Sequence, residues 1–230
     1  MDALTATRAE PVAPAMAYRA AFLDWMACAH AGLAEPAAAA ARHVGKGVLE
    51  RVAAAGTAGH VLDFDDTYLP GLAHLSAPTA PAALVLGAER WASVGDVLEA
   101  YSAGFEAMAA VAEASHPALY DGGWHPTSVC GVVGAATAAA TLLELDPERR
   151  GAAVRLALLR AGGVRAAFGS DGKSLQVGLA AAAGVQSALL AEAGATIGAD
   201  ILDGPAGYEE AFNATWADSV SRSTRSLPPG

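Results

Sequence analysis

The chain has 230 residues, a net charge of −10, 53% hydrophobic residues and only 6% aromatic ones. That length suffices for one domain with a sizeable core. The acidic balance, with no run of Lys or Arg, excludes nucleic acid and anionic membrane surfaces as expected partners.

In chain order, Met1 to Pro14 is proline-flanked and lacks an apolar run, so residues 1–14 are expected to be disordered and not a secretory signal. A helical domain is expected over residues 15–216, followed by a mobile tail at 217–230. Phe22, Trp25, Met26 and Leu33 recur at helical spacing from about Met16. A second helix should open at Pro36 and run through Val44, Val48 and Val52 to Gly56, since proline is tolerated in a first turn. Thr57 to Phe64 reads as a short apolar helix ending in acids. The Asp, Pro, Gly, Ser and Thr of Asp65 to Pro81 read as a loop that holds His74. Helices follow at Ala82 to Ala92 and Val94 to Ser115, the second with a Ser93 cap and Asp96 three residues on. Pro117 to Pro126 reads as a loop, Thr127 to Leu143 as a helix, and Pro147 opens another that reaches about Arg160. Gly162 to Gly172 is glycine-rich, Val177 to Ala193 is the last long helix, and Tyr208, Phe212 and Trp216 form a short amphipathic piece. No strand alternation runs at length, so the fold class expected is all-α, a multi-helix bundle.

The apolar stretches Thr127 to Leu143 and Val177 to Leu190 are mostly Ala, Gly, Ser and Thr and read as buried core helices, not membrane spans. Cys28 and Cys130 fit no ligand or redox spacing and read as reduced thiols of a cytoplasmic protein.

Three strings could carry chemistry. Gly59-His60-Val61-Leu62-Asp63-Phe64-Asp65-Asp66-Thr67 crowds three carboxylates beside a histidine. Asp65 and Asp66 could make turn bonds to backbone. Crowded acids also raise one another's pKa, so one could act as a general acid or base. Asp63 to Asp66 fits the D-x-D-D pattern of acid-initiated cyclases too, although so few aromatics would poorly support carbocations. The string offers no second cluster of metal ligands. Trp124-His125-Pro126-Thr127 puts a histidine at a helix start, where N–H groups favour an anion, or where it simply packs against the loop. Phe168-Gly169-Ser170-Asp171-Gly172-Lys173 holds one of only two lysines among fourteen Lys and Arg, which suggests a compact amine in use there. It lacks phosphate-loop spacing.

Taken together, these strings resemble the MmgE/PrpD family. Its signatures appear in order as Ala58 to Thr67, Pro70 to His74, Pro78 to Leu84, Gly104-Phe105-Glu106, Gly123 to Thr127, Leu145-Asp146-Pro147-Glu148 and Phe168 to Gly178. The resemblance implies a helical domain and places active-site groups on Asp63, Thr67, His74, His125 and Lys173. Family members usually carry histidine and often arginine where this chain has Gln176 and Leu179. They also continue into a smaller α/β domain closing over the cleft, whereas this sequence stops at Gly230.

The family's chemistry is elimination, decarboxylation or epimerisation of small polycarboxylates, with no metal or redox cofactor expected. By that resemblance Lys173 and His125 contact the substrate anion and stabilise charge. His74 moves the proton, and Asp63 orients it or acts as the partner carboxylate. Thr67, Trp124 and Gln176 are expected to line the substrate, a small carboxylate or carbonyl compound. The competing expectations are a non-catalytic helical interaction module, or one half of a site that a separate chain completes. A homodimer through the helical domain is expected either way.

Overall fold

In the computed structural model the described residues are 16–214; the expected disordered segment, the tail and Trp216 lie outside them. Among the described residues there are ten α-helices and no strand, so the fold is all-α. The helices are α1 Met16–Gly32, α2 Pro36–Val44, α3 Val48–His60, α4 Ser76–Glu89, α5 Val94–Ser115, α6 Ala118–Asp121, α7 Pro126–Leu142, α8 Pro147–Leu158, α9 Gly172–Glu192 and α10 Tyr208–Phe212.

The centre of the bundle is α7, packed against α4, α5, α8 and α9, with α3 lying along α9. Small side chains make this possible. A Cβ on Gly178 of α9 would lie 2.2 Å from the Ala53 carbonyl oxygen and 2.3 Å from Thr57 Oγ1, both on α3. Likewise a Cβ on Gly104 of α5 would meet the Gly134 carbonyl of α7 at 2.6 Å. Backbones this close gain dispersion contacts along their whole length. Among the described residues, α9 alone could cross a membrane by length and hydropathy; here Val177, Ala181, Val185 and Ala188 are buried in the bundle.

Several boundaries differ from the sequence expectation. The helix expected from Pro36 to Gly56 is two, broken at Gly45-Lys46-Gly47, because two glycines in three residues weaken helix continuation. The short helix expected at Thr57 to Phe64 is instead the end of α3, which stops at His60. The loop expected to Pro81 ends at Ser76, where α4 begins despite Pro78 and Pro81. Pro78 sits in the first turn, where N–H groups have no intrahelical partner. The Asp66 carboxylate accepts the backbone N–H groups of Leu75 and Ser76 at 3.1 and 3.0 Å, capping that end. The last long helix starts at Gly172, a turn before Val177. Ser93 and Asp96 form the expected capping box, and Asp146 caps α8 through the Arg149 N–H.

Candidate active site

The site gathers at four helix ends. His60 closes α3, the loop from Asp63 to His74 leads into α4, His125 precedes α7, and Lys173 and Gln176 lie in the first turns of α9. Two backbone bonds tie the strap before α7 to the strap before α9: His125 N–H donates to the Gly163 carbonyl and Arg165 N–H to that of Gly123, each 2.9 Å. Gly163 has φ +112°, and a Cβ there would also strike Ser128 and Gln176, so glycine is required.

Asp63 takes a left-handed backbone, φ +60°, a conformation that aspartate tolerates better than most residues. Its half-exposed carboxylate accepts a hydrogen bond from the Lys173 ammonium and lies 3.6 Å from His74 Nε2. Burial works against the charged carboxylate, but the Lys173 ammonium and the neighbouring His74 outweigh it and hold Asp63 below the usual carboxylate range.

Asp65 is buried behind this pair. His60 Nδ1 approaches both its carboxylate oxygens, at 3.1 and 2.9 Å, and His74 Nδ1 lies 3.4 Å from one of them. Burial alone would raise Asp65; the two imidazoles overturn that and hold it far down, ionised at any ordinary pH. His74 is driven the other way. Desolvation lowers its proton affinity, yet the hydrogen bond and charge of Asp65 raise it above the ordinary histidine value. Asp66 is raised by burial and acts as the α4 cap. Crowding therefore does not lift the acids as a set: Asp63 and Asp65 go down and only Asp66 goes up. The turn-bond reading fails for Asp65, whose carboxylate serves two histidines. For Asp66 the bonds are to backbone, but nine and ten residues downstream.

His125 is 2% exposed. Its Nδ1 accepts from Gln176 Nε2 at 2.6 Å, while Gln176 Oε1 accepts the Val164 N–H at 3.0 Å, so one amide ties imidazole to strap. Burial first, then the nearby His60 and Lys173, push His125 down to about 3, leaving it neutral at pH 7. It can offer substrate an Nε2–H donor, not a charge. The His60 ring bridges the two halves, 4.7 Å from the His74 ring and 5.9 Å from that of His125. Phe168 lies 4.8 Å from the His125 ring and 5.5 Å from Lys173 Nζ.

Of the residues expected from sequence, Asp63, His74 and Lys173 meet directly, and His125 joins them through His60. Gln176 stands behind His125. Thr67 is exposed on the loop, and among the described residues no hydrogen bond joins its side chain to the cluster. The Trp124 ring packs 4.8 Å from Phe212, toward α10. His60 and Asp65 were visible only as letters beside Asp63; their spacing of five across a helix end gives no sign of a buried pair.

His60, Asp63, Asp65 and His74 also present donor atoms within 4.8 Å of one another, enough to consider a cation. The Lys173 ammonium already serves Asp63, and both histidine Nδ1 atoms are turned to Asp65. Both carboxylates of this set are thus already paired, although His60 Nε2 is buried without a partner, and a second cation would have to displace Lys173. An acid-initiated cyclase fits poorly as well: Asp65 is held ionised, Asp66 is engaged by α4, and Phe64 is 79% exposed and so gives no aromatic wall.

Residues 3–218 match the MmgE/PrpD N-terminal domain. The human cis-aconitate decarboxylase is 32% identical over 170 residues, 72% of this chain and 35% of that protein. The mouse cis-aconitate decarboxylase is 31% identical over 168 residues, 70% of this chain and 34% of its own length. The chain thus spans about a third of the length of these curated relatives. With the matched region, the helical fold and the clustered motif residues in agreement, this chain belongs to the MmgE/PrpD family.

Proposed function

We propose that this domain carries the proton-transfer half of a lyase or isomerase site, acting on a small substrate at carbon next to a carboxylate or carbonyl. The observation that carries the reading is the contact series Lys173–Asp63–His74–Asp65. It places a base of raised proton affinity beside an ammonium that can hold an anion. His74 Nε2 exchanges the proton with the substrate carbon. Lys173 leaves Asp63 to meet the substrate carboxylate, and its charge counts for more as enolate-like charge grows. His125 donates from Nε2 to a substrate oxygen and positions it. Dehydration, decarboxylation and epimerisation share this first demand. The two decarboxylase relatives support the lyase sense, with a small carboxylate as the substrate class.

A second reading, a non-catalytic interaction module or one half of a site completed by another chain, draws on α9. Leu179, where the family often has arginine, is 59% exposed and offers no charge to a substrate.

Lys173→Ala separates the two readings. If the site turns over, the variant should lose about 10²–10³ in rate, roughly 2–4 kcal/mol, when assayed on carboxylates that the wild type accepts. Its unfolding free energy should change by less than about 1 kcal/mol, because Asp63 is half exposed and solvent screens the pair. Full activity in this variant, or no turnover by the wild type on any carboxylate together with undiminished partner binding by the variant, favours the module.

A further inference from the structure

We propose that the buried His60–Asp65 pair is the positioning element of the site: by taking hydrogen bonds from both His60 and His74, Asp65 keeps the His74 proton on Nδ1 and leaves Nε2 as the exchanging nitrogen. The inference rests on the proton-transfer reading above for its catalytic consequence, but not for its geometry.

His74 Nδ1 faces two acceptors of one residue, the Asp65 carboxylate at 3.4 Å and the Asp65 carbonyl at 3.3 Å. A nitrogen between two acceptors must carry the proton. The same ring is fixed at its backbone, whose N–H donates to Thr127 Oγ1 at 3.1 Å on α7. Its Nε2 is then the bare nitrogen, pointing to where Asp63 and Lys173 meet. When Nε2 takes a proton, the substrate C–H bond breaks, its electron pair moves toward the adjacent carbonyl or carboxylate, and the new imidazolium is held by Asp65 at Nδ1. In the reverse sense Nε2 returns the proton to carbon.

His60 gives Asp65 a second donor. With 1% exposure it reaches no solvent, and both its approaches to Asp65 are within hydrogen-bond length. A carboxylate shared by two imidazoles pulls less on either proton than one held by a single partner. His60 therefore moderates how strongly Asp65 retains the proton on His74, keeping His74 a base that can both take and release. The other groups facing His74 are Asp63, which raises its affinity, and Lys173, which lowers it.

The test is long-range ¹H–¹⁵N correlation of the histidine rings in the ¹⁵N-labelled full chain across pH, with the His74 signal identified by its loss in His74→Gln. Neutral His74 is expected protonated on Nδ1. His60→Phe, which keeps the volume and removes the donor, should move the His74 titration to higher pH, and His60→Asn, which retains an N–H near the Nδ1 position, should bring it back. Asp65→Asn should move it to lower pH and admit the other tautomer. On an accepted substrate Asp65→Asn should lose roughly 10²-fold, mostly in kcat. A wild-type His74 protonated on Nε2 overturns the proposal, as does a His74 titration that His60→Phe and Asp65→Asn leave unmoved. These spectra need no turnover. A chain inactive on every carboxylate but showing the expected tautomer and shifts sinks the proposed function and leaves the positioning pair standing.

Discussion

The loop after α3 and the strap before α7 each hold a histidine, and they treat it in opposite ways. Around His74 there are two carboxylates, and the pull of Asp65 overcomes desolvation, so the ring gains proton affinity. Around His125 the nearest polar partner is the neutral Gln176 amide, which donates; burial and the nearby His60 and Lys173 outweigh the opposing pull of Asp63, and the ring falls to about 3. Burial alone therefore does not decide a histidine's chemistry. What decides it is whether the partner at Nδ1 accepts or donates. One ring is built to carry a proton and the other to stay neutral, within one cluster of contacts.

The pH dependence of stability should expose that contrast most strongly. His125 is depressed in the folded state, so between pH 6.5 and about 3 the unfolded chain binds a proton that the folded chain refuses. Stability should fall through that window by an amount on the order of 5 kcal/mol. His125→Asn, which cannot titrate, should flatten the limb in urea unfolding at a series of pH values; an unchanged acid limb breaks the comparison. His74 has the opposite sign: its contribution is full below the ordinary histidine pKa and fades as pH rises through the raised one. Asp65, held down, contributes above the ordinary carboxylate pKa and loses that contribution only in strong acid.

A smaller effect should come from the packing that brings the two regions together. Gly178→Ala places a Cβ against the Ala53 carbonyl and Thr57 Oγ1 and must part α3 from α9. The expected cost is roughly 1–3 kcal/mol in chemical denaturation. The His74 and Lys173 ends of the cluster should separate with it, seen as a change in the His74 titration. A neutral Gly178→Ala would mean that α9 does not set the spacing of the site.

Smallest of all, Ser93→Ala removes the side-chain bond to Asp96 N–H at 3.1 Å on an exposed helix end and should cost about 1 kcal/mol. It should leave both histidine titrations where they were, because neither region touches α5 at that end. Any shift in His74 or His125 would show that the titrations report global loosening and not their own surroundings.

Much of the fold could be read in advance where local chemistry decides. Ser93 with Asp96 and Asp146 with Pro147 mark helix starts by bonds spanning three residues. The Ala-rich runs of α7 and α9 leave no other economical structure. Reading failed where distant partners decide. Pro78 and Pro81 look like breakers, but Pro78 falls in the first turn of α4, which needs no internal N–H partner, Pro81 is accommodated inside the helix, and the cap, Asp66, comes from nine residues upstream. The site follows the same division. Asp63, His74, His125 and Lys173 could be named from motif resemblance. That His60 and Asp65 form the buried centre, that Trp124 turns toward Phe212, and that Gln176 holds His125 depend on several helix ends meeting.

The paired straps carry a consequence for motion. His125 N–H and Arg165 N–H are donated across the gap between them, and Gln176 grips both the His125 ring and Val164. Neither strap can lift without breaking its bonds to the other, so the two open as one unit. A protonated His125 has no acceptor at Nδ1, since Gln176 presents N–H there. Opening and protonation are thus one linked event, and amide exchange at residues 125 and 165 should quicken together as the solution is acidified, ahead of the helices on either side.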